Sequence, residues 1–194
     1  SWPAQPGAPR SMRSALTLAL CAVRLAGACR AEVWLIRHGD KNFATGGLSE
    51  RGFARAEHLA SLVESGTWPA FKALYAVNSR TKDHMVREVQ TVTPIANRLG
   101  VAINETWGKD DEVPLAHHAR AAALACGPVL VVWEHCRIPA IAIELGCAEY
   151  ECVACWSDAS FGKVLVIDAE SSALAVRDEA FAGDDWQGEV VHPT

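Results

Sequence analysis

Apolar positions along this chain follow two rhythms. Unbroken runs, VWLI (33–36), ALYAV (73–77) and PVLVVW (128–133), are rich in β-branched and aromatic residues and stop at polar or charged ones, which reads as buried strands. Between them, apolar residues recur at helical spacing. In LSERGFARAEHLASLVESG (48–66), Phe53, Ala56, Leu59, Leu62 and Val63 share one face, with Ser49 as N-cap and Gly66 as a stop. DHMVREVQTVTPIANRLG (83–100) is helical in pattern, with Pro94 restarting the helix and Gly100 closing it. AHHARAAALACG (116–127) and IPAIAIELG (138–146) supply two more helices, while 104–114 reads as a polar loop. Val101 to Ile103 forms a short strand, and FGKVLVID (161–168) with ALAVRD (173–178) a final strand pair. Strands alternating with helices predict an α/β domain, a three-layer α/β/α sandwich with a mostly parallel central sheet.

The first 31 residues break this pattern. From Met12, the stretch MRSALTLALCAVRLAGACRA carries Arg13, an apolar run from Ala15 to Val23, and then small residues. That layout predicts a secretory signal peptide cleaved after Ala28 or Ala31; an amphipathic N-terminal helix is the other reading. The run is too short to span a bilayer and Arg24 interrupts it. The expected organisation is a leader over 1–31, a folded domain over 32–180, and a loose tail over 181–194. A signal implies the secretory pathway, and its absence the cytoplasm.

Composition narrows the choice. With 194 residues, 50% hydrophobic and 21% charged, the chain suits one domain with a real core and is not of disordered type. Residues 1–31 hold four arginines and no acid, so of 18 basic and 23 acidic residues the remainder keeps a net charge near −9. Nucleic acid and anionic membranes are therefore poor partners, and any bound anion needs a local cluster of positive groups. Five cysteines follow the leader: Cys126, Cys136, Cys147, Cys152 and Cys155. The last three have C-x4-C-x2-C spacing, but an iron–sulfur cluster needs a fourth cysteine downstream, and none follows Cys155. One disulfide within this segment, or buried thiols, is the expectation.

Candidate chemistry gathers where strands end. VWLI runs into Arg37 and His38; ALYAV leads to Arg80 and Arg87; PVLVVW leads to Glu134 and His135. In open α/β sheets ligands bind at the carboxyl ends of strands. If these strands are parallel neighbours, two histidines and two or three arginines converge on one pocket.

The ordered set LIRHGDK, LSERGFARA, S-x7-R-E-x-Q-T and VLVVWEH resembles the histidine phosphatase superfamily, with its phosphoglycerate mutase-like fold, over residues 32 to about 177. The resemblance implies that His38 is the nucleophile that becomes phosphorylated, and that Arg37, Arg87 and His135 hold the phosphoryl group. It implies a small phosphatase acting on a small phosphorylated substrate, with no cofactor and no metal. The chemistry suits the residues, because a transferring phosphoryl group spreads negative charge over its oxygens and positioned donors stabilise it. In the mutase-like branch an acid for the leaving group lies on an insertion, which here points to Asp111 first and Asp110 second, within WGKDDEVP. Cys136 stands where many members have Gly and the phytase-like branch has Asp, which disfavours that branch. Arg80 reads as a rim charge and His117 and His118 as solvated; His58, His84 and His192 lack partners at ligand spacing. Glu134 either orients a pocket group or faces water, and Trp34 and Trp133 read as core. The alternative function is a non-catalytic phosphate- or ligand-binding member of the same fold.

Overall fold

Strand β1 (Glu32–Arg37) is buried along its whole length, because strands flank it on both sides and helices cover both its faces. The computed structural model describes residues 30–80, 85–152 and 155–182. The expected leader up to residue 29, the tail from 183, and His84 and His192 lie outside the described residues. In chain order the elements are β1, α1 (Glu50–Glu64), β2 (Ala73–Ala76), α2 (Arg87–Leu99), β3 (Ile103–Asn104), α3 (Glu112–Cys126), β4 (Val129–Trp133), α4 (Ile138–Glu144), β5 (Lys163–Asp168) and β6 (Leu174–Asp178).

The sheet order is β3-β2-β4-β1-β5-β6. The first four strands are parallel, and β5 and β6 are antiparallel to their neighbours. Side chains alternate faces along each strand. Val33, Leu35, Val131 and Trp133 pack beneath α3 and α4, around Leu115, Ala119, Ile138 and Ile141. Trp34, Ile36, Leu130 and Val132 pack beneath α1 and α2, around Leu59, Val63, Val92 and Ile95. Burial on both faces is why these strands read as unbroken apolar runs rather than alternating ones. Trp34 and Trp133 are core, as the sequence suggests, with Trp34 tilted against Trp68 at 5.2 Å between ring centroids.

Helix α1 begins where expected: the Ser49 hydroxyl accepts a hydrogen bond from the Gly52 amide at 3.1 Å. Its inner face differs from the expectation at Phe53, which is 49% exposed. Gly52 takes the inward position instead, since a Cβ there would collide with the backbone oxygen of Asp40. Pro94 does not restart α2; the helix runs unbroken from Arg87 to Leu99 with Pro94 inside, and Gly100 closes it at φ +65°. Helix α3 starts at Glu112, within the stretch expected to be loop.

Candidate active site

The parallel register pairs Arg37 with Trp133, so the residues just past the two strands, His38 on one and Glu134 and His135 on the other, emerge side by side. The His38 amide continues the ladder by donating to the Trp133 carbonyl at 3.3 Å. Arg87 reaches the same edge from the first position of α2. Together they line a cavity of about 460 Å³ with Asp40, Lys41, Phe43, Asp158 and Phe161. A larger hollow of about 920 Å³ lies at the β2–β3 edge, but its Lys72, Arg80, Glu105 and His118 do not converge as these do.

The loop after β1 is braced from beneath by α2. The Gly39 amide donates to Thr91 Oγ1 at 2.8 Å, and the Leu48 amide to Gln90 Oε1 at 2.8 Å. The Q-T pair of R-E-x-Q-T thus holds the backbone that carries His38. Gly39 admits no side chain, since a Cβ there would lie 2.9 Å from the Gly52 oxygen. Asp40 is clamped by Arg51 at 3.2 Å and by the buried Arg55 at 2.9 Å, and Arg55 also pairs with buried Glu179 at 3.0 Å.

His38 is 3% exposed, and its Nδ1 lies 2.8 Å from the Gly39 carbonyl oxygen. A carbonyl only accepts, so Nδ1 carries the proton and Nε2 keeps its lone pair. Burial, with the charges of Arg87, Arg37 and His135, pushes the His38 pKa down to about 3. The ring is therefore neutral across the ordinary working range. Arg37 donates through Nη1 to the backbone oxygens of Ser157 and Asp158 at 3.2 and 2.8 Å, and its guanidinium lies 3.9 Å from the Phe161 ring centroid. The Nε atoms of Arg37 and Arg87 are buried and have no hydrogen-bond acceptor among the described residues. His135 Nε2 lies 3.2 Å from Asp158 Oδ1, and Nδ1 lies 2.7 Å from Glu134 Oε1 at an angle that makes a charge contact rather than a hydrogen bond. Burial and then Arg37 lower the His135 pKa, opposed by Glu134 and Asp158.

The expected proton donors are not in the cavity. Asp110 pairs with Arg137, and Asp111 Oδ2 accepts from the Gly108 amide at 2.8 Å. The turn before α3 spends both carboxylates on its own closure and on Arg137, so the carboxylates at the cavity are Asp40, Glu134 and Asp158. Arg80, expected as a rim charge, lines the other hollow rather than the cavity of His38. His117 is exposed; His118 is not simply solvated, since its Nδ1 meets the Tyr75 hydroxyl at 3.1 Å. His58 Nε2 lies 2.8 Å from the Glu179 backbone oxygen.

Residues that sequence reasoning did not place are Asp158, Phe161 and Glu88. The first two arrive on the segment before β5, which a disulfide between Cys136 and Cys155 ties beside His135. Cys147 and Cys152 form a second disulfide. The Cys147–Cys152–Cys155 triple therefore holds one complete bridge, as expected within this segment, and one half of another. His135, Cys136 and Cys155 bring their ligand atoms within 4.8 Å of one another, but sulfurs joined in a disulfide offer no thiolate to a metal ion. Glu88, next to Arg87, is fully buried, and its Oε1 lies 4.0 Å from His38 Nε2.

No family model matches the chain, and no curated protein matches it in sequence. Solved structures do. The protein histidine phosphatase SixA, complexed with tungstate, superposes with a TM-score of 0.54 at 15% identity, over 75% of this chain and 94% of that one. A SixA protein from Agrobacterium tumefaciens gives 0.52 at 20% identity, over 74% and 94%. The chain has the fold of the histidine phosphatases. A mycobacterial glucosyl-3-phosphoglycerate phosphatase complexed with VO3 shares that histidine phosphatase fold, with a TM-score of 0.51 at 15% identity over 77% and 98%. The phosphoglycerate mutase-like architecture expected from the RHG, R-x-x-Q-T and second-histidine stretches is the one observed.

Proposed function

We propose that this protein is a phosphomonoester phosphatase working through a phosphohistidine on His38. The observation that carries the reading is a buried, neutral imidazole with Nε2 unprotonated, beside a cavity where Arg37, Arg87 and His135 supply the positive and hydrogen-bonding groups. Fold neighbours that bind tungstate and VO3, both tetrahedral or trigonal oxyanions of phosphate type, support an anion of that class here.

Nε2 attacks phosphorus, the bond from phosphorus to the ester oxygen breaks, and the alcohol leaves with a proton from a carboxyl at the cavity. Water then attacks the phosphorus of phospho-His38 and gives a proton back to that carboxylate, freeing inorganic phosphate and restoring the lone pair on Nε2. Arg37 and Arg87 stabilise the charge on the phosphoryl oxygens, and their fixed fork geometry suits two oxygens at once. With Asp110 and Asp111 turned away, Asp158 and Glu134 are the carboxyls placed to protonate a leaving oxygen. Asp158 is the better placed, being exposed at the mouth.

One observation favours the non-catalytic alternative. The Asp158 carboxylate, 3.2 Å from His135 and 3.9 Å from Arg37, sits where a bound anion would. An aryl phosphate separates the readings, because its leaving group needs little protonation. Turnover with an acid-labile, base-stable ³²P label on wild type and none on His38→Ala supports the phosphatase; no turnover by wild type overturns it. Activity should persist in excess chelator, and vanadate should inhibit well below substrate-like concentrations.

We also propose export. Two disulfides fit an oxidising compartment, as does the signal-like layout of residues 12–31. N-terminal sequencing from the host should find Cys29 or Glu32 first, and an intact Met12 end would sink the idea.

A further inference from the structure

Glu88 is a carboxyl without an obvious reason to be where it is. It sits in the first turn of α2, 0% exposed, and neither oxygen has a hydrogen-bond partner among the described residues. An unpaired buried carboxylate is costly, and structures retain such a group only when it is neutral or when something missing completes it. Its Oε1 is 4.0 Å from His38 Nε2, too far for a hydrogen bond between them. Glu88 is outside the cavity lining, and an oxygen of a phosphoryl group bonded to Nε2 would have to enter this gap to meet it.

We infer that Glu88 is a catalytic residue of the phosphatase in its neutral form, donating a hydrogen bond to an oxygen of the phosphoryl group on His38 Nε2. The inference rests on the phosphatase reading and adds to it a group that senses pH. No proton changes hands at Glu88: its O–H stays on the carboxyl while the N–P bond forms, the P–O ester bond breaks, and water reverses the first of these. The ionised form would instead face the phosphoryl dianion with like charge.

The surroundings fit that role. From the end of β1 come His38, neutral at working pH, and Arg37; from α2 itself comes Arg87; from the end of β4 come Glu134 and His135. Asp40, on the loop after β1, is neutralised by Arg51 and by Arg55 of α1. Burial dominates, opposed by the nearby backbone amide of Glu88 itself and by Arg87 and reinforced by Glu134, and pushes the Glu88 pKa up to about 7. The donor is therefore present below that pH and lost as pH rises through it.

The test is the pH dependence of kcat/KM for p-nitrophenyl phosphate in wild type, Glu88→Gln, Glu88→Ala and His38→Ala. Glutamine keeps a donor at every pH and cannot ionise. Wild type should fall about tenfold per pH unit above roughly pH 7. Glu88→Gln should lose roughly threefold to tenfold at pH 6 yet show no such fall, overtaking wild type by pH 9. Glu88→Ala should lose on the order of 10²-fold at pH 6 and also lack the limb. A Glu88→Gln profile parallel to wild type overturns the inference while leaving the phosphatase intact, provided His38→Ala is dead. Should wild type show no turnover, calorimetric binding of inorganic phosphate reads the same group. Affinity must then drop above pH 7 in wild type more steeply than in Glu88→Gln, and equal slopes overturn the role.

Discussion

The floor and the rim of the cavity hold the same kinds of side chain in opposite states. His38 on the floor, and Glu88 next to it but outside the cavity lining, are shut away from water, and burial drives the imidazole down to about 3 and the carboxyl up to about 7. The imidazole is then uncharged at neutral pH, and the carboxyl is protonated below about pH 7. At the rim, Asp158 is 95% exposed and rests against His135, whose ring also meets Glu134. The floor is held by regular structure: the β1–β4 ladder, the Thr91 and Gln90 braces, and the close approach of Gly39 to Gly52. The rim is held by a disulfide and by backbone oxygens bonded to Arg37. The proposed nucleophile needs a lone pair and fixed aim, which the dry floor offers; groups proposed to meet a leaving alcohol need access, which the rim offers.

The contrast can be broken most severely at the floor. On the proposed mechanism His38→Ala removes the nucleophile and should lower kcat by on the order of 10⁴ or more, read by steady-state turnover of an aryl phosphate. Arg87→Ala, at the cavity wall, should lower kcat by roughly 10² to 10³, because its donors act mainly on transition-state charge. His135→Ala should cost similarly, and a loss far below that of Arg87→Ala would move His135 from the phosphoryl group to the rim's structure. Replacing Cys136 and Cys155 by serine opens a 19-residue separation and should destabilise the chain by about 3 kcal/mol in urea unfolding. The same variant should raise KM by roughly tenfold with kcat less affected, since the tether positions Asp158 and Phe161. If kcat falls as far as in the arginine variant, the rim belongs to the chemistry as much as the floor does.

The smallest effect is expected outside the cavity. Asp111→Asn should change turnover by less than about twofold for aryl and alkyl phosphates alike, as surface substitutions usually do. Asp158→Asn should instead slow alkyl phosphates selectively, because only a poor leaving group needs a proton delivered. A selective loss in Asp111→Asn would restore that residue as the acid.

The main frame is legible in the amino-acid sequence. Unbroken β-branched runs mean strands covered on both faces, and the Ser49 and Gly100 signals place a helix start and a helix end correctly. His38, Arg37, Arg87 and His135 are legible because each follows or opens such an element, and parallel strands bring their ends together by geometry alone. Phe53 is misplaced by periodicity because apolar spacing does not register a glycine that must face inward for backbone to approach. Asp111 is misplaced because a carboxylate in a turn can bond its own backbone, as this one does to Gly108, and spacing does not show that preference.

What the sequence determined by itself, then, is the set of elements, their order, and which charged residues stand at their ends, since those follow from local periodicity and chain connectivity. Only the tertiary structure decided which side chains lose water and which keep it. Glu88 and Glu134 are the same residue type beside similar strand and helix ends, yet one is fully buried and the other opens on the cavity. Burial depends on what packs over a group from distant parts of the chain, and burial is the leading cause of the shifts at His38 and Glu88. The segment carrying Asp158 was likewise placed by a bond between Cys136 and Cys155, a pairing that cysteine spacing alone leaves open.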